Sequence, residues 1–118
     1  MAVMFVYATA GDADEALRIG RAVVEARLAA CANILPGMRS IYWWEGRVQD
    51  STEAVLVLKT TEALLAALVE RVKALHSYDC PCIEALPVVG GHRAFLDWVV
   101  QETQGSSAGE RDGLLDGG

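Results

Sequence analysis

The sequence predicts an α+β domain in which strands and helices follow one another in the order βαββαβ, with one further helix at the end. Two segments have apolar residues at helical spacing, apolar runs rich in Val and aromatic residues flank them, and a long hairpin signal lies in the middle of the chain. The 118 residues suffice for one hydrophobic core and are too few for two domains.

The first strand and first helix come from the N-terminal third of the chain. Residues 2–9 are a nearly continuous apolar run, typical of a strand covered on both faces. A helix is expected to begin at Asp12, with Glu15 reaching back as in a capping box. Gly20 lowers helix propensity, so we expect it to let the helix lie close to the sheet. The predicted apolar face of this helix comprises Ala13, Ala16, Leu17, Gly20, Val24 and Leu28.

The middle of the chain predicts two long strands, residues 31–45 and 47–59, joined by a tight turn at Gly46. A second helix follows, and either Thr60 or Thr61 is expected to cap it. The apolar side of that helix is predicted to comprise Leu64, Leu65, Leu68, Val72 and Leu75.

A short strand over residues 82–88 and a last helix near residues 91–102 complete the folded part. That helix is expected to pack four apolar side chains inward, namely Phe95, Leu96, Trp98 and Val99. Residues 1–103 are therefore the predicted domain. Residues 104–118 are rich in Gly, Ser and charge, and we expect them to form a flexible tail.

This order of elements is the ferredoxin-like βαββαβ plan, with a long hairpin between the second and third strands. Right-handed crossovers place the first and third strands in the centre of the sheet and the second and fourth at its edges. Pro36, Pro81 and Pro87 all lie in or beside the predicted edge strands, where a missing N–H is tolerated. Proline placement therefore supports the predicted strand order.

The hairpin is too long for a domain of this size. About 13 residues at about 3.4 Å each give an arm of about 45 Å, whereas a compact domain of 100 residues has a radius of gyration of about 13 Å. Its far end carries Ile41, Tyr42, Trp43 and Trp44, and adjacent strand residues make both faces apolar. We expect each arm to lie against a neighbour in a closed homo-oligomer. The alternative is an arm that bends back onto its own helices.

Charge and composition exclude several partners. The net charge is −6 and the basic residues are scattered singly, which argues against a nucleic-acid partner. The apolar N-terminal run is shorter than a membrane span and has no basic residue before it, so we expect no membrane partner and a cytoplasmic protein. Three cysteines form an odd set that fits reduced thiols better than a disulfide scaffold.

Residues 76–84, HSYDCPCIE, are the candidate site for chemistry. Cys80 and Cys82 point to the same side of an extended backbone, and His76 at a helix end could add a nitrogen. Cu(I) or Zn(II) would accept these three ligands. Two alternatives remain open. The cysteines could be ordinary packing at the start of a strand, which is their commoner role, or one could be a nucleophile with His76 as its base.

Five further residues carry weaker expectations. Cys31 is expected in the core, and Lys59 is expected to reach solvent or to pair with an acid at a subunit boundary. His92 is predicted at an exposed helix start, and Glu53 and Glu84 are predicted on exposed or rim faces.

Together these residues resemble the CutA divalent-cation tolerance family. The resemblance covers residues 3–102 and is carried in order by ARLAACANILPGMRSIYWWEG (residues 26–46), Lys59-Thr60, His76, Tyr78, Pro81, Leu86-Pro87 and Phe95-Leu96-Asp97-Trp98.

The resemblance implies a ferredoxin-like subunit in a tight homotrimer with the architecture of the PII signalling proteins. It also implies tolerance and binding of copper or another divalent metal, with no established reaction. We expect a cleft between subunits where Trp43, Lys59, His76, Tyr78 and Cys82 converge. The alternative that this architecture suggests is a signalling module that binds a small anionic metabolite in the same cleft.

The chain departs from the family pattern at three places. His76-Ser77-Tyr78 stands where His-Pro-Tyr is usual, and Pro81-Cys82-Ile83 stands where Pro-Glu-Ile is usual. Ala8 and Leu75 occupy positions where some bacterial members carry a cysteine and a histidine. A metal site that depends on those two side chains is therefore incomplete in this chain.

Overall fold

The computed structural model describes residues 2–105, and the predicted tail lies outside this range except for its first two residues. The elements are, in chain order, β1 (Val3–Ala10), α1 (Ala13–Glu25), β2 (Cys31–Trp44), β3 (Arg47–Thr61), a 3-10 turn (Glu62–Leu64), α2 (Leu65–Leu75), β4 (Ile83–Pro87) and α3 (Arg93–Glu102). The predicted α+β fold and its order of elements are confirmed.

The sheet has the order β2-β3-β1-β4, with antiparallel pairing throughout. The two central strands are the ones that the crossover argument placed there. Pro36 lies in the edge strand β2 and Pro87 ends the edge strand β4. Between Leu35 and Met38 the register of β2 shifts by one residue relative to β3, which is a β-bulge.

The main core lies between one face of the sheet and the helices α1 and α2. Gly20 of α1 is buried there, and a Cβ added to it would meet Ala32 Cβ at 3.0 Å and Leu56 Cδ1 at 3.2 Å. The expected close approach of helix and sheet is confirmed. The buried residues of this core include Val6, Ala8, Ile19, Val23, Leu56, Leu58, Leu68 and Val72.

The apolar face of α1 differs from the predicted one. Leu17 is 49% exposed, whereas Ile19 and Val23 are fully buried, so the face is rotated around the helix from the predicted face. Asp12 is the N-cap, and its Oδ1 accepts from the Glu15 backbone N–H at 2.8 Å. A cap of this kind contributes about 1 kcal/mol. The carboxylate of Glu15 returns to the N–H of Gly11, not to that of Asp12 as a capping box requires.

The second helix has the predicted apolar side, with Leu68 and Val72 fully buried and its neighbours partly buried against them. The prediction that Thr60 or Thr61 caps this helix is wrong, because neither side chain makes a capping hydrogen bond. Thr61 precedes the 3-10 turn but makes no side-chain capping bond. Thr60 is fully buried, and its Oγ1 donates to the carbonyl of Leu28 at 2.7 Å. The threonine thus holds the chain after α1 against the end of β3.

The last helix covers part of the other face of the sheet. Its Val99 is fully buried in a small cluster with Val3 and Ala30. The inward packing predicted for Phe95 and Trp98 is wrong, because they are 40% and 38% exposed and stack on each other with ring centroids 5.8 Å apart. No helix within residues 2–105 is long and apolar enough to cross a membrane.

The hairpin of β2 and β3 projects from the domain. The described chain measures 51 × 28 × 21 Å, and its radius of gyration is 15.2 Å, above the roughly 13 Å of a compact domain of this length. At the tip, Ile41 is 72% exposed and Trp43 is 74% exposed. The arm therefore does not bend back onto its own helices, and its apolar tip stays uncovered within one chain.

Candidate functional site

A groove with a volume of about 740 Å³ lies on the sheet face opposite α1 and α2. This volume is in the range of small-molecule sites. One wall is the base of the arm, the floor comes from β1 and β3, and the other wall is the loop before β4. The lining residues are Tyr7, Thr9, Met38, Arg39, Ser40, Ile41, Tyr42, Trp44, Glu53, Tyr78, Asp79, Cys80 and Cys82.

Strand alternation explains which side chains reach this groove. In β1, Val6 and Ala8 point into the helix-covered core, so Tyr7 and Thr9 point to the opposite face. In β3 the same alternation places Glu53 on that face. Because the bulge adds one residue to β2, the even-numbered residues Met38 to Trp44 face the groove after it.

Glu53 forms the polar floor of the groove. Its residue exposure is only 8%, so its predicted position on an exposed or rim face is wrong. The hydroxyl of Tyr78 donates to Glu53 Oε2 at 2.8 Å. Burial raises the pKa of Tyr78, and the hydrogen bond and negative charge of Glu53 raise it further. Tyr78 is therefore a neutral donor at physiological pH.

Sequence reasoning missed Glu53 although a signal was present. Glu53 directly precedes the run Ala54–Leu58 in β3, which is apolar at every position and therefore buried on both faces of the sheet. Glu53 shares the face of Val55 and Val57, so burial of that face could have been expected to extend to it. Glu84 is exposed, as predicted.

Two more tyrosines line the groove. Tyr7 Oη donates to the sulfur of Met38 at 3.5 Å, and the Tyr42 hydroxyl lies 3.3 Å from Ser51 Oγ. Burial raises the pKa of Tyr7, with further contributions from the negative charge of Cys82, when ionised, and of Glu53.

His76 fixes the loop that carries Tyr78. Its side chain is only 1% exposed. Its Nε2 lies 2.7 Å from the Thr9 carbonyl, and its Nδ1 lies 3.1 Å from the backbone N–H of Tyr78. Because a carbonyl only accepts and an N–H only donates, the ring is a neutral imidazole with its proton on Nε2. Both nitrogens are therefore occupied by backbone groups, and the ring packs 4.7 Å from that of Tyr78.

Glu15 anchors the same loop to the start of α1. Its Oε1 accepts from the Gly11 N–H at 2.9 Å and its Oε2 accepts from the Ser77 N–H at 2.7 Å. Burial acts to raise the pKa of Glu15, but these hydrogen bonds outweigh it and hold the pKa below its ordinary value. The ionised carboxylate thus ties the loop to the helix and positions Tyr78 over the groove.

The two predicted metal-binding cysteines line the edge of the groove. Cys80 and Cys82 are free and exposed, and Cys82 leads into β4 with its carbonyl accepting from Thr9 N–H at 3.3 Å. Partial burial raises the pKa of the Cys82 thiol, and the charges of Glu84 and Glu53 add to this. Residues 2–105 contain no group of three His, Cys, Asp or Glu side chains placed to hold one metal ion. The ligand set of His76, Cys80 and Cys82 stays a prediction.

The other predicted cleft residues lie outside the groove of one chain. Trp43 points to the opposite side of the arm from Trp44, which does line the groove. The Lys59 Nζ lies 5.6 Å from the Phe5 ring centroid and 3.4 Å from Asn33 Oδ1. Whether these residues meet Tyr78 between subunits stays a prediction. Two weaker expectations also have outcomes: Cys31 is half-buried, not a core residue, and His92 is exposed at the start of α3, as predicted.

Comparison with known proteins places this arrangement in one family. The family model of the CutA1 divalent ion tolerance protein matches residues 4–102. The chain belongs to the CutA family. The predicted resemblance is confirmed, and the solved structures that the fold matches are CutA1 proteins.

Relatives come from plants, bacteria and archaea. The chain is 48% identical over 95 residues to the divalent-cation tolerance protein CutA of Thermus thermophilus, a match that covers 80% of this chain and 92% of the relative. It is 46% identical over 101 residues to Protein CutA 1, chloroplastic, of Oryza sativa, which covers 86% of this chain but only 57% of the rice protein.

Solved CutA1 structures share the fold. The crystal structure from Oryza sativa has a TM-score of 0.85 at 43% identity and covers 88% of this chain and 95% of that one. The structure from Thermus thermophilus has a TM-score of 0.82 at 46% identity and covers 85% of this chain and 97% of that one.

Proposed function

We propose that this CutA chain acts as a homotrimer without catalytic activity in the response to divalent metal ions, and that it binds copper or a similar cation. The observation that carries the proposal is the family match over residues 4–102. The relatives from Thermus thermophilus and Archaeoglobus fulgidus are named divalent-cation tolerance proteins.

The exposed arm supports self-association. Large apolar side chains on both of its faces, among them Trp43, Trp44 and Val48, are more than half exposed in one chain. An apolar surface of this kind marks a contact with another molecule, and a closed ring of identical subunits covers all copies equally. Native mass spectrometry of untagged protein tests this: a trimer mass is expected, and a monomer at micromolar concentration would contradict it.

The thiols of Cys80 and Cys82 are the proposed metal contact. They are exposed, and soft thiolates suit Cu(I). Metal binding would deprotonate Cys82 against its raised pKa, so affinity should rise with pH. His76 can join the set only by giving up one of its two backbone hydrogen bonds. Within one chain the thiols supply two ligands, so further ligands would come from a second subunit.

The metal test compares thiol variants. Cu(I) titration followed by native mass spectrometry should show metal retained by wild-type protein and lost in Cys80→Ser/Cys82→Ser. Cys31→Ser is the matched control, because it removes a half-buried thiol that does not line the groove. Cys31 pairs with Lys59, at the opposite end of β2 from the arm. Equal metal retention by all three proteins would contradict the proposed ligands.

Two observations support the absence of catalysis by a thiol. A nucleophilic cysteine needs a lowered thiol pKa, and the pKa of Cys82 is raised. His76 is also held by two backbone groups, so it is not free to act as a base. Slow iodoacetamide labelling of all three thiols is expected, and fast labelling of Cys80 or Cys82 would favour a thiol enzyme.

We also propose a cytoplasmic location without a nucleic-acid or membrane partner. Free thiols fit a reducing compartment. Family members differ in location, because the rice relative is named chloroplastic and the Archaeoglobus fulgidus protein is named periplasmic. Cell fractionation with an antibody tests it directly.

The second candidate function is a PII-like signalling module that binds a metabolite at the intersubunit cleft. The volume of the groove supports a small-molecule ligand. Within one chain, the buried carboxylate of Glu53 in the floor of the groove disfavours an anionic metabolite. A metabolite panel in a thermal-shift assay, with no response to metals, would favour this function.

A further inference from the structure

Two side chains of β3 carry opposite charges that meet no countercharge within one chain. Glu53 is 8% exposed and forms no salt bridge within residues 2–105, and its Oε2 accepts from the neutral hydroxyl of Tyr78. Lys59 is half-buried and forms no salt bridge in the same part of the chain, and its Nζ donates at 3.4 Å to the neutral amide oxygen of Asn33. A buried carboxylate is costly without a cation, so a cation from outside the chain is favoured.

The two charges share one face of the sheet but lie far apart in one chain. Glu53 and Lys59 have the same parity in β3, and Lys59 Nζ lies 5.6 Å from the ring centroid of Phe5, its partner in β1. Six residues of strand at about 3.3 Å each separate their α-carbons by about 20 Å. This distance is too long for an ion pair within the chain, so the two charges can meet only between copies.

The surface between the two charges suits a second copy of the chain. It is apolar, because Val55 and Val57 of β3 continue the same face and Leu86 of β4 is 63% exposed on it. The Glu53 end of β3 leads into the projecting arm, whereas Lys59 lies at the other end of the strand. A neighbour that lies against the arm in head-to-tail order would therefore bring Lys59 of the partner subunit to Glu53.

We propose that Lys59 of the partner subunit forms an ion pair with Glu53, so that two chains complete each intersubunit cleft. One chain supplies the carboxylate and the Tyr78 hydroxyl that donates to it, and the next chain supplies the ammonium. This inference rests on the homotrimer proposed above and deepens it. In a closed ring each subunit contributes one Glu53 and one Lys59, so all of these charges are paired. The pair also neutralises the charge that disfavours an anionic metabolite within one chain.

The first experiment measures subunit dissociation of the full-length protein by analytical ultracentrifugation, at a guanidinium chloride concentration that partly dissociates the wild type. Lys59→Met leaves Glu53 buried without a cation, so the protein concentration at half-dissociation should rise about tenfold or more. Lys59→Arg keeps the charge and should remain close to wild type. Lys73→Met is the matched control, because it removes the other lysine of the chain, which is exposed on α2 and pairs with Glu70.

The decisive variant combines Lys59→Met with Glu53→Gln. Glutamine removes the charge and keeps an oxygen that accepts from Tyr78, so the double variant should assemble more tightly than Lys59→Met alone. Within one chain the two positions are about 20 Å apart, and substitutions at that distance have additive effects. Rescue by the second substitution would therefore report a contact between subunits. Circular dichroism confirms that each variant is folded.

The outcomes distinguish failure of this ion pair from failure of the homotrimer. A wild-type protein that is monomeric at micromolar concentration without denaturant would overturn both proposals. A wild-type trimer whose dissociation is unchanged by Lys59→Met would overturn the ion pair alone, as would a double variant that assembles no more tightly than Lys59→Met. An equal effect of Lys73→Met would also overturn it, because net charge would then explain the result.

Discussion

The hydrogen bond from Tyr78 to Glu53 gives the most quantitative prediction. The substitution Tyr78→Phe keeps the ring over the groove and removes one hydroxyl that donates at 2.8 Å to a carboxylate exposed by only 8%. Hydrogen bonds to charged groups contribute about 1.5 to 3 kcal/mol net. Tyr78 itself is 37% exposed, so water can replace part of the bond, and we expect a loss of about 2 kcal/mol.

The assay is a double-mutant cycle in guanidinium chloride at one fixed protein concentration, because an oligomer's stability depends on concentration. The cycle combines Tyr78→Phe with Glu53→Met, which removes the acceptor and keeps the chain length. Tyr42→Phe is the control, since its hydroxyl lies 3.3 Å from the neutral Ser51 hydroxyl and does not hydrogen-bond Glu53 within residues 2–105. A Tyr78–Glu53 coupling energy below about 0.5 kcal/mol would refute the reasoning, because coupled neighbours exceed that value.

Three further predictions concern the loop and the core. Glu15→Gln should reduce the acid sensitivity of the folded state. The folded pKa of Glu15 lies below its ordinary 4.5, so the stability that Glu15 contributes is present above that pH and is lost as pH falls through the folded pKa. An unchanged acid-unfolding curve would contradict this. Gly20→Ala should destabilise by about 1 kcal/mol, because crowding against Ala32 exceeds the gain in helix propensity; Gly90→Ala, with no atom within 4 Å of its added Cβ, is the control in the same melts. Thr60→Val should cost about 1 to 2 kcal/mol by leaving the buried Leu28 carbonyl unpaired, and a neutral effect would contradict it.

The sequence allowed the fold to be predicted because its signals are local. Helical spacing located both helices of the main core, and the Gly46 turn located the hairpin, whose long arm projects as expected. The face of α1 was predicted less well. Its Leu17 and Val24 fit an apolar stripe as well as Ile19 and Val23 do, and only packing against the sheet decides between them.

The site was predicted less completely, because the pairing register of β2 with β3 decides which side chains meet in the groove. Trp43 and Trp44 are adjacent, and the extra residue at the bulge decides that Trp44 faces the groove. The segment Pro36-Gly37, where Gly37 has φ of 74°, was the signal for that bulge. Glu53 was placed on the surface because glutamate usually lies there. Its burial depends on Tyr78, which is 25 residues away.

The role of His76 also followed from tertiary contacts. In the sequence, the position of His76 between a helix and two cysteines suggested a metal ligand. In the structure, the Thr9 carbonyl and the Tyr78 backbone N–H occupy both of its ring nitrogens. The structure thus indicates that His76 positions Tyr78 over the groove. Sequence spacing alone does not distinguish these two roles.

We propose that the groove between the arm and the loop over residues 78–82 is the functional surface of this protein. A chemical-shift map of the isotope-labelled protein during titration with Zn(II) tests it most directly, because this ion is diamagnetic and accepts thiolate ligands. We expect the first amides to move, and to saturate, within residues 78–82 and 38–44. Shifts confined to the surroundings of His92 or to residues 106–118 would contradict the claim.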